Sequence, residues 1–229
     1  PFMQYMAKEM DQMKEPFFSS FFSLSSHHPF KVPEKYAGKF PKGTLALHEP
    51  LGYADHALKE FFATASKSKW YNNTLFVICA DHASMTHFKE YNTMPNSFAI
   101  PIIFYYPGGE LKGVSDKLVQ QIDIMPTVLN YLQYDKPYFS FGFDAMSADR
   151  NNFVVSNIGN IYNFFMGDYF MTYGDKEVKS MYNLKTDKFL ENDLKGKELG
   201  VQDSLMKHLE SFMQQYNNRM IHNKLVAEN

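Results

Sequence analysis

Thr74-Leu-Phe-Val-Ile-Cys-Ala-Asp81-His82 is the stretch whose reading decides the fold. Leu75 to Ala80 is an unbroken apolar run rich in β-branched and aromatic residues. A run of this length without alternation predicts a strand buried on both faces, as in the middle of an α/β sheet. It stops at an acid and an imidazole, side by side. Ligand-binding groups of open α/β sheets gather just beyond the carboxyl ends of central strands. A carboxylate next to an imidazole is a donor mixture suited to zinc or manganese.

Working outward, Pro16–Leu24 (PFFSSFFSL) predicts a second strand packed on both faces, followed at once by Ser25-Ser-His27-His28-Pro29-Phe30. If the two strands are parallel neighbours, His27 and Asp81-His82 share one rim of the sheet. Residues 31–48 carry two Pro, two Gly and several Lys, and read as a loop long enough to cover a site. Residues 49–66 place Leu51, Ala54, Leu58, Phe61, Phe62 and Ala65 on one helical face. Strand, helix and strand in this order form a βαβ unit, which implies parallel pairing. Asp55 and His56 on that helix read as solvated or capping residues. Phe2, Met6, Met10 and Met13 predict a preceding surface helix over residues 2–14.

Beyond His82, residues 83–93 are polar and read as an exposed loop, with Thr86 and His87 the only candidates to join a site. Ala99–Tyr106 predicts a further strand, with Pro101 near its start, and Pro107-Gly-Gly109 a turn. Residues 115–132 predict a helical region in which Asp123 caps by accepting the Met125 N–H, with Pro126 in the first turn. Asp123 is thus a structural residue rather than a catalytic acid. The pattern then changes. Asn152–Asn157, Ile161–Met166, Tyr169–Tyr173 and Lys179–Asn183 are short strands with turns at Ile158-Gly-Asn160, Gly167-Asp168 and Gly174-Asp175 between them, an antiparallel meander. A terminal helix from about Gln202 to Met220 turns Leu205, Leu209, Phe212 and Tyr216 inward.

Composition narrows the function classes. The net charge is −2 and the basic residues are scattered, so no nucleic-acid partner is expected. Cys79 is the only cysteine, which rules out an intrachain disulfide. No apolar run reaches the length of a membrane span, and no signal peptide opens the chain. The first residue is Pro1, so the chain reads as a piece of a longer protein, with any anchor upstream.

"WYNNTLFVICADHAS", then "AIPIIFYYPG" and "QIDIMPTVLNYL", resembles the C-terminal half of a sulfatase-family domain of the alkaline phosphatase superfamily. Within it, the chain looks most like the lipoteichoic acid synthase-like phosphoglycerol transferases. "FFSLSSHHPF" is similar to the family's strand followed by Ser-x-His-x-Pro-Phe, and "GYADHALKEFF" to its Tyr-x-Asp-x-x-Leu helix. The resemblance runs from about Pro16 to Leu132. It departs at Ala83, where many members have Gly.

The resemblance implies a metal-binding role for Asp81 and His82. It also implies a substrate-contacting, catalytic role for His27 rather than His28, because Pro29-Phe30 sets the register. The implied cofactor is a divalent ion (manganese, zinc, magnesium or calcium). A further metal-binding carboxylate and a Thr, Ser or formylglycine nucleophile, which the family carries in its N-terminal half, are not identifiable here. The implied activity is transfer or hydrolysis of phosphate esters, with sulfate-ester hydrolysis as the alternative and a non-catalytic binding or envelope protein as a second. The implied substrate is a phosphate or sulfate ester, such as a glycerophospholipid or a glycan. The implied location is extracytoplasmic, with membrane attachment only through segments outside this chain. The expected fold is α/β: part of a three-layer αβα sandwich with a mostly parallel central sheet over residues 1–150, then a small antiparallel sheet and terminal helix over 151–229.

Overall fold

The computed structural model describes residues 1–148 and 152–227. It has a mixed α/β fold with two antiparallel sheets and four α-helices among the described residues. The chain divides into two compact units, residues 1–80 with 101–113, and residues 81–100 with 114–229.

The first unit holds α1 (Phe2–Met10), α2 (His48–Ala65), β1 (Phe76–Cys79) and β2 (Ile102–Tyr105). Ala7 and Ala65 are fully buried, with Met10 and Trp70 beside them in one cluster. The two alanines have no side chain beyond Cβ, so the backbones that carry them can approach closely. The Trp70 indole N–H donates to Asp11 Oδ1 at 2.8 Å, which satisfies the polar edge of a buried ring. Of the predicted stripe on α1, Met6 and Met10 pack inward, but Phe2 and Met13 are exposed. Leu51 of α2 also faces out. The loop over residues 31–48 carries one short helical turn, Glu34–Tyr36. Tyr36 and Phe40 from this loop pack their rings on His56 of α2, each at 5.6 Å. His56 is therefore a packing residue, not a merely solvated one.

The sheet corrects the sequence reading. β1 pairs with β2 antiparallel, with Phe76 opposite Tyr105 and Cys79 opposite Ile102. Pro16–Leu24 enters no strand ladder, so the parallel partner expected for β1 is not observed. Phe17 packs edge-on against Trp70, whereas Phe18 is 90% exposed and Phe22 and Leu24 are also open. An apolar run specifies that a segment is to be covered; it does not specify which segment covers it.

The second unit holds α3 (Ile124–Tyr131), the strands β3 (Phe153–Ile158), β4 (Ile161–Met166), β5 (Tyr169–Gly174) and β6 (Glu177–Asn183), and α4 (Leu199–Ile221). The strands form the expected meander in the order β3-β4-β5-β6. Its first and last turns, Gly159-Asn160 and Asp175-Lys176, have positive φ at both central residues. That is the geometry of two-residue hairpins whose twist matches the flanking strands. Phe164, Met171, Val178 and Met181 form the buried core with Leu205 and Leu209 of α4. Burying each of these leucines contributes roughly 1.5–3 kcal/mol. α3 is shorter than predicted, because residues 115–120 are not helical and a 3₁₀ turn, Gln121–Asp123, precedes it.

Candidate metal centre

β1 ends at Cys79, and two residues later the chain bends at Asp81-His82. Both side chains are well exposed, Asp81 at 53% and His82 at 64%. The His82 backbone N–H donates to Asp81 Oδ1 at 3.0 Å, a local turn that fixes one carboxylate oxygen. His82 Nδ1 lies 2.6 Å from the Ala83 carbonyl oxygen. A carbonyl can only accept, so Nδ1 carries a proton, and in the neutral ring Nε2 presents its lone pair. Nε2 is 3.5 Å from Asp81 Oδ2. An imidazole held at Nδ1 by a backbone carbonyl, with Nε2 turned to a carboxylate oxygen, is the arrangement of a metal-ligating histidine. The pair therefore fits a divalent cation. Among the described residues no third His, Cys, Asp or Glu joins it, and a catalytic site of this kind generally has three protein ligands.

The loop that follows is tied by its own hydrogen bonds. Thr86 Oγ1 accepts the Phe88 N–H, and the Glu90 carbonyl accepts from Thr93 and Asn96. Lys188 pairs with Glu90 at 3.2 Å. His87 is exposed and belongs to no ligand group among the described residues, in keeping with the loop reading.

His27 lies in the first unit. Its Nδ1 donates to the His28 carbonyl at 2.9 Å, so its Nε2 is also left as an acceptor. The His28 ring instead packs edge-on against Phe30. The two neighbouring histidines are thus inequivalent: one is oriented by a hydrogen bond, the other is a packing group.

Sequence reasoning missed the segment Gln120-Gln-Ile-Asp123, which organises the surroundings of Asp81. Gln121 Nε2 donates to the Asp81 carbonyl oxygen at 2.9 Å. The Gln120 N–H donates to Asp123 Oδ2 at 2.8 Å, closing a capping box with Gln in place of Ser or Thr. The Phe143 N–H donates to Asp123 Oδ1 at 2.8 Å, and the Val155 N–H of β3 donates to Gln120 Oε1 at 3.0 Å. Thr127 Oγ1 donates to the Asp123 carbonyl and accepts the Ala145 N–H. Asp123 is structural, as expected, but it serves Gln120 and Phe143, not Met125. The Gln-x-x-Asp spacing ahead of an apolar run was the available signal.

Only 3% of Asp123 is exposed. Burial pushes its carboxyl above the ordinary carboxylate range, opposed by the N–H bonds from Gln120 and Phe143. A carboxyl raised in the folded state binds its proton more tightly there than in the unfolded chain. Its contribution to stability is then complete below the unfolded value and is lost as pH rises through the folded value. Urea midpoints of wild type minus Asp123→Asn are expected to fall between the ordinary carboxylate range and that raised value, then level off. A difference that grows with pH would contradict the assigned burial.

The sulfatase family model matches residues 1–134. The lipoteichoic acid synthase-like protein YvgJ of Bacillus subtilis is 26% identical, over 83% of this chain and 33% of its own length. A solved structure of a protein in the alkaline phosphatase superfamily from Vibrio parahaemolyticus superposes with a TM-score of 0.72. It is 22% identical and covers 99% of this chain and 55% of that one. The lipoteichoic acid synthase LtaP from Listeria monocytogenes superposes at 0.68. It is 24% identical and covers 95% of this chain and 57% of its own. The chain spans about a third of the length of the curated relative. With the matched model covering more than half of its residues, the chain belongs to the sulfatase family.

Proposed function

We propose that this chain supplies the C-terminal part of the catalytic domain of a lipoteichoic acid synthase-like enzyme that transfers or hydrolyses phosphate esters with a divalent metal. The observation that carries the reading is Asp81-His82, with Nε2 and a carboxylate oxygen 3.5 Å apart and Nδ1 tied to a carbonyl, in a chain whose curated relatives include a lipoteichoic acid synthase-like protein. Residues 1–150 are assigned to the sulfatase-like portion, and residues 151–229 to the small antiparallel sheet with its terminal helix. Other parts of the full-length protein complete the sheet around β1. The remaining metal ligand and the nucleophile also come from those parts.

When bound, the cation supplies charge neutralisation on the transferring group and lowers the pKa of an oxygen nucleophile. Asp81 and His82 would hold it. His27 contacts the ester, and once protonated at Nε2 it donates a hydrogen bond to an oxygen of the ester or the leaving group. The metal is manganese, zinc, magnesium or calcium. The substrate class is an anionic ester, with a glycerophospholipid fitting the transferase branch, and the enzyme works outside the cytoplasm, anchored by segments beyond this chain. Sulfate-ester hydrolysis is the second reading, favoured by the family model itself.

The test is turnover of artificial phosphodiester and sulfate-ester substrates by the full-length protein. Phosphodiester turnover is expected. Turnover of sulfate esters alone would transfer the assignment to the sulfatases, and turnover of neither would mark a non-catalytic binding protein. In the same assay His27→Ala is expected to lower turnover by about 10²–10⁴-fold, the range for a lost proton-transferring group, with metal content kept. His28→Ala is expected to change it little. Equal losses would show that the register of the two histidines is wrong.

A further inference from the structure

We infer that Gln121 is a positioning residue that sets the backbone of Asp81, and through it the direction in which the carboxylate and the His82 imidazole face. This rests on the reading of Asp81-His82 as metal ligands. The two residues are 40 positions apart in the chain, yet the Gln121 amide donates to the Asp81 carbonyl at 2.9 Å. That carbonyl belongs to the peptide linking Asp81 to His82. The N–H of the same peptide donates to Asp81 Oδ1. One peptide plane is therefore gripped at both ends, by the ligand carboxylate on one side and by Gln121 on the other.

Gln121 is itself held by its neighbours. Gln120 before it bonds the N–H of Val155, and Asp123 after it bonds the N–H groups of Gln120 and Phe143. The grip on Asp81 is thereby referred to β3 of the meander and to the segment after α3, both parts of the second unit. Outer hydrogen bonds of this kind orient ligands, and their loss costs metal affinity. Gln121 is exposed, so replacing it opens no cavity. This separates its effect on the ligands from an effect on folding.

Mn²⁺ alone is titrated into the full-length protein as wild type, Gln121→Leu, Gln121→Met and Asp81→Ala. Affinity is followed by the electron paramagnetic resonance of free and bound Mn²⁺, and the metal-free Tm is measured in parallel. Both non-donating variants are expected to weaken Mn²⁺ binding roughly 10-fold, the lower end for such partners, and to alter the bound spectrum. Their metal-free Tm should stay within about 2 °C of wild type, as for a surface substitution. Wild-type affinity in both, with affinity lost in Asp81→Ala, overturns the positioning role and leaves the metal centre standing. Weakened binding accompanied by a Tm fall of more than about 5 °C identifies a folding role and also overturns it. Wild-type affinity in Asp81→Ala overturns the metal centre itself.

Discussion

Asp81→Ala in the full-length protein is expected to abolish turnover and to strip the metal. The carboxylate does two things at once: Oδ2 faces His82 Nε2 at 3.5 Å and Oδ1 accepts the His82 N–H. On the proposed reading, removing it takes away a charged ligand and releases the turn that holds the other one. The loss of metal affinity should exceed the roughly 10–100-fold found when only a supporting hydrogen bond is lost. Asp81→Asn separates the two roles. It keeps an oxygen for the His82 N–H but gives up the charge, so metal should be lost with the local turn intact. Metal content by elemental analysis and turnover should be read on the same preparations. Normal turnover by Asp81→Ala would end the assignment of this centre.

The largest effect on stability is expected at Asp123 and at the glycine packed against it. Asp123→Ala leaves the Gln120 and Phe143 N–H groups without their acceptor inside the second unit. An orphaned donor that is fully buried costs about 1–3 kcal/mol; both of these are only half-buried, so the pair together costs roughly 1–3 kcal/mol. Gly142→Ala attacks the same junction from the other side. A Cβ there would stand 2.1 Å from the Ile122 carbonyl oxygen and 2.8 Å from the Asp123 nitrogen. These are backbone atoms with no rotamer to escape into, and overpacking costs about 1–3 kcal/mol or more. At about 2–4 °C per kcal/mol for a chain of this size, either variant should melt several degrees below wild type. Calorimetry decides it, and an unchanged Tm in both would show that this junction is not a core contact.

What the sequence made legible follows from how local each contact is. The meander and α4 were readable nearly to the residue, because adjacent hairpins and an amphipathic helix need only neighbouring residues to define them. Gly174-Asp175 was one residue out as a turn, since Gly174 closes β5 and the positive φ values fall on Asp175 and Lys176. The place of Asp81-His82 just beyond a strand was readable, because the end of an apolar run marks the end of a strand. The partner of β1 was not. Pro16–Leu24 has the composition of a buried strand, but pairing is decided by segments distant in the chain, and here β2 takes the place. Gln121 and the bond from Phe143 to Asp123 escaped for the same reason. Their partners lie 40 and 20 positions away, beyond any periodicity.

The division of the chain has a consequence for how such a protein can be inherited. Passing along the sequence, the boundary between the two units is crossed after Ala80, after Ile100 and after Gly113. Neither unit is a continuous stretch of gene. No single cut frees one from the other: a cut after Ala80 takes β1 but leaves its partner β2 behind, and a cut after Gly113 takes the Asp81 segment along with both strands. Exchanging either unit whole therefore takes more than one crossover.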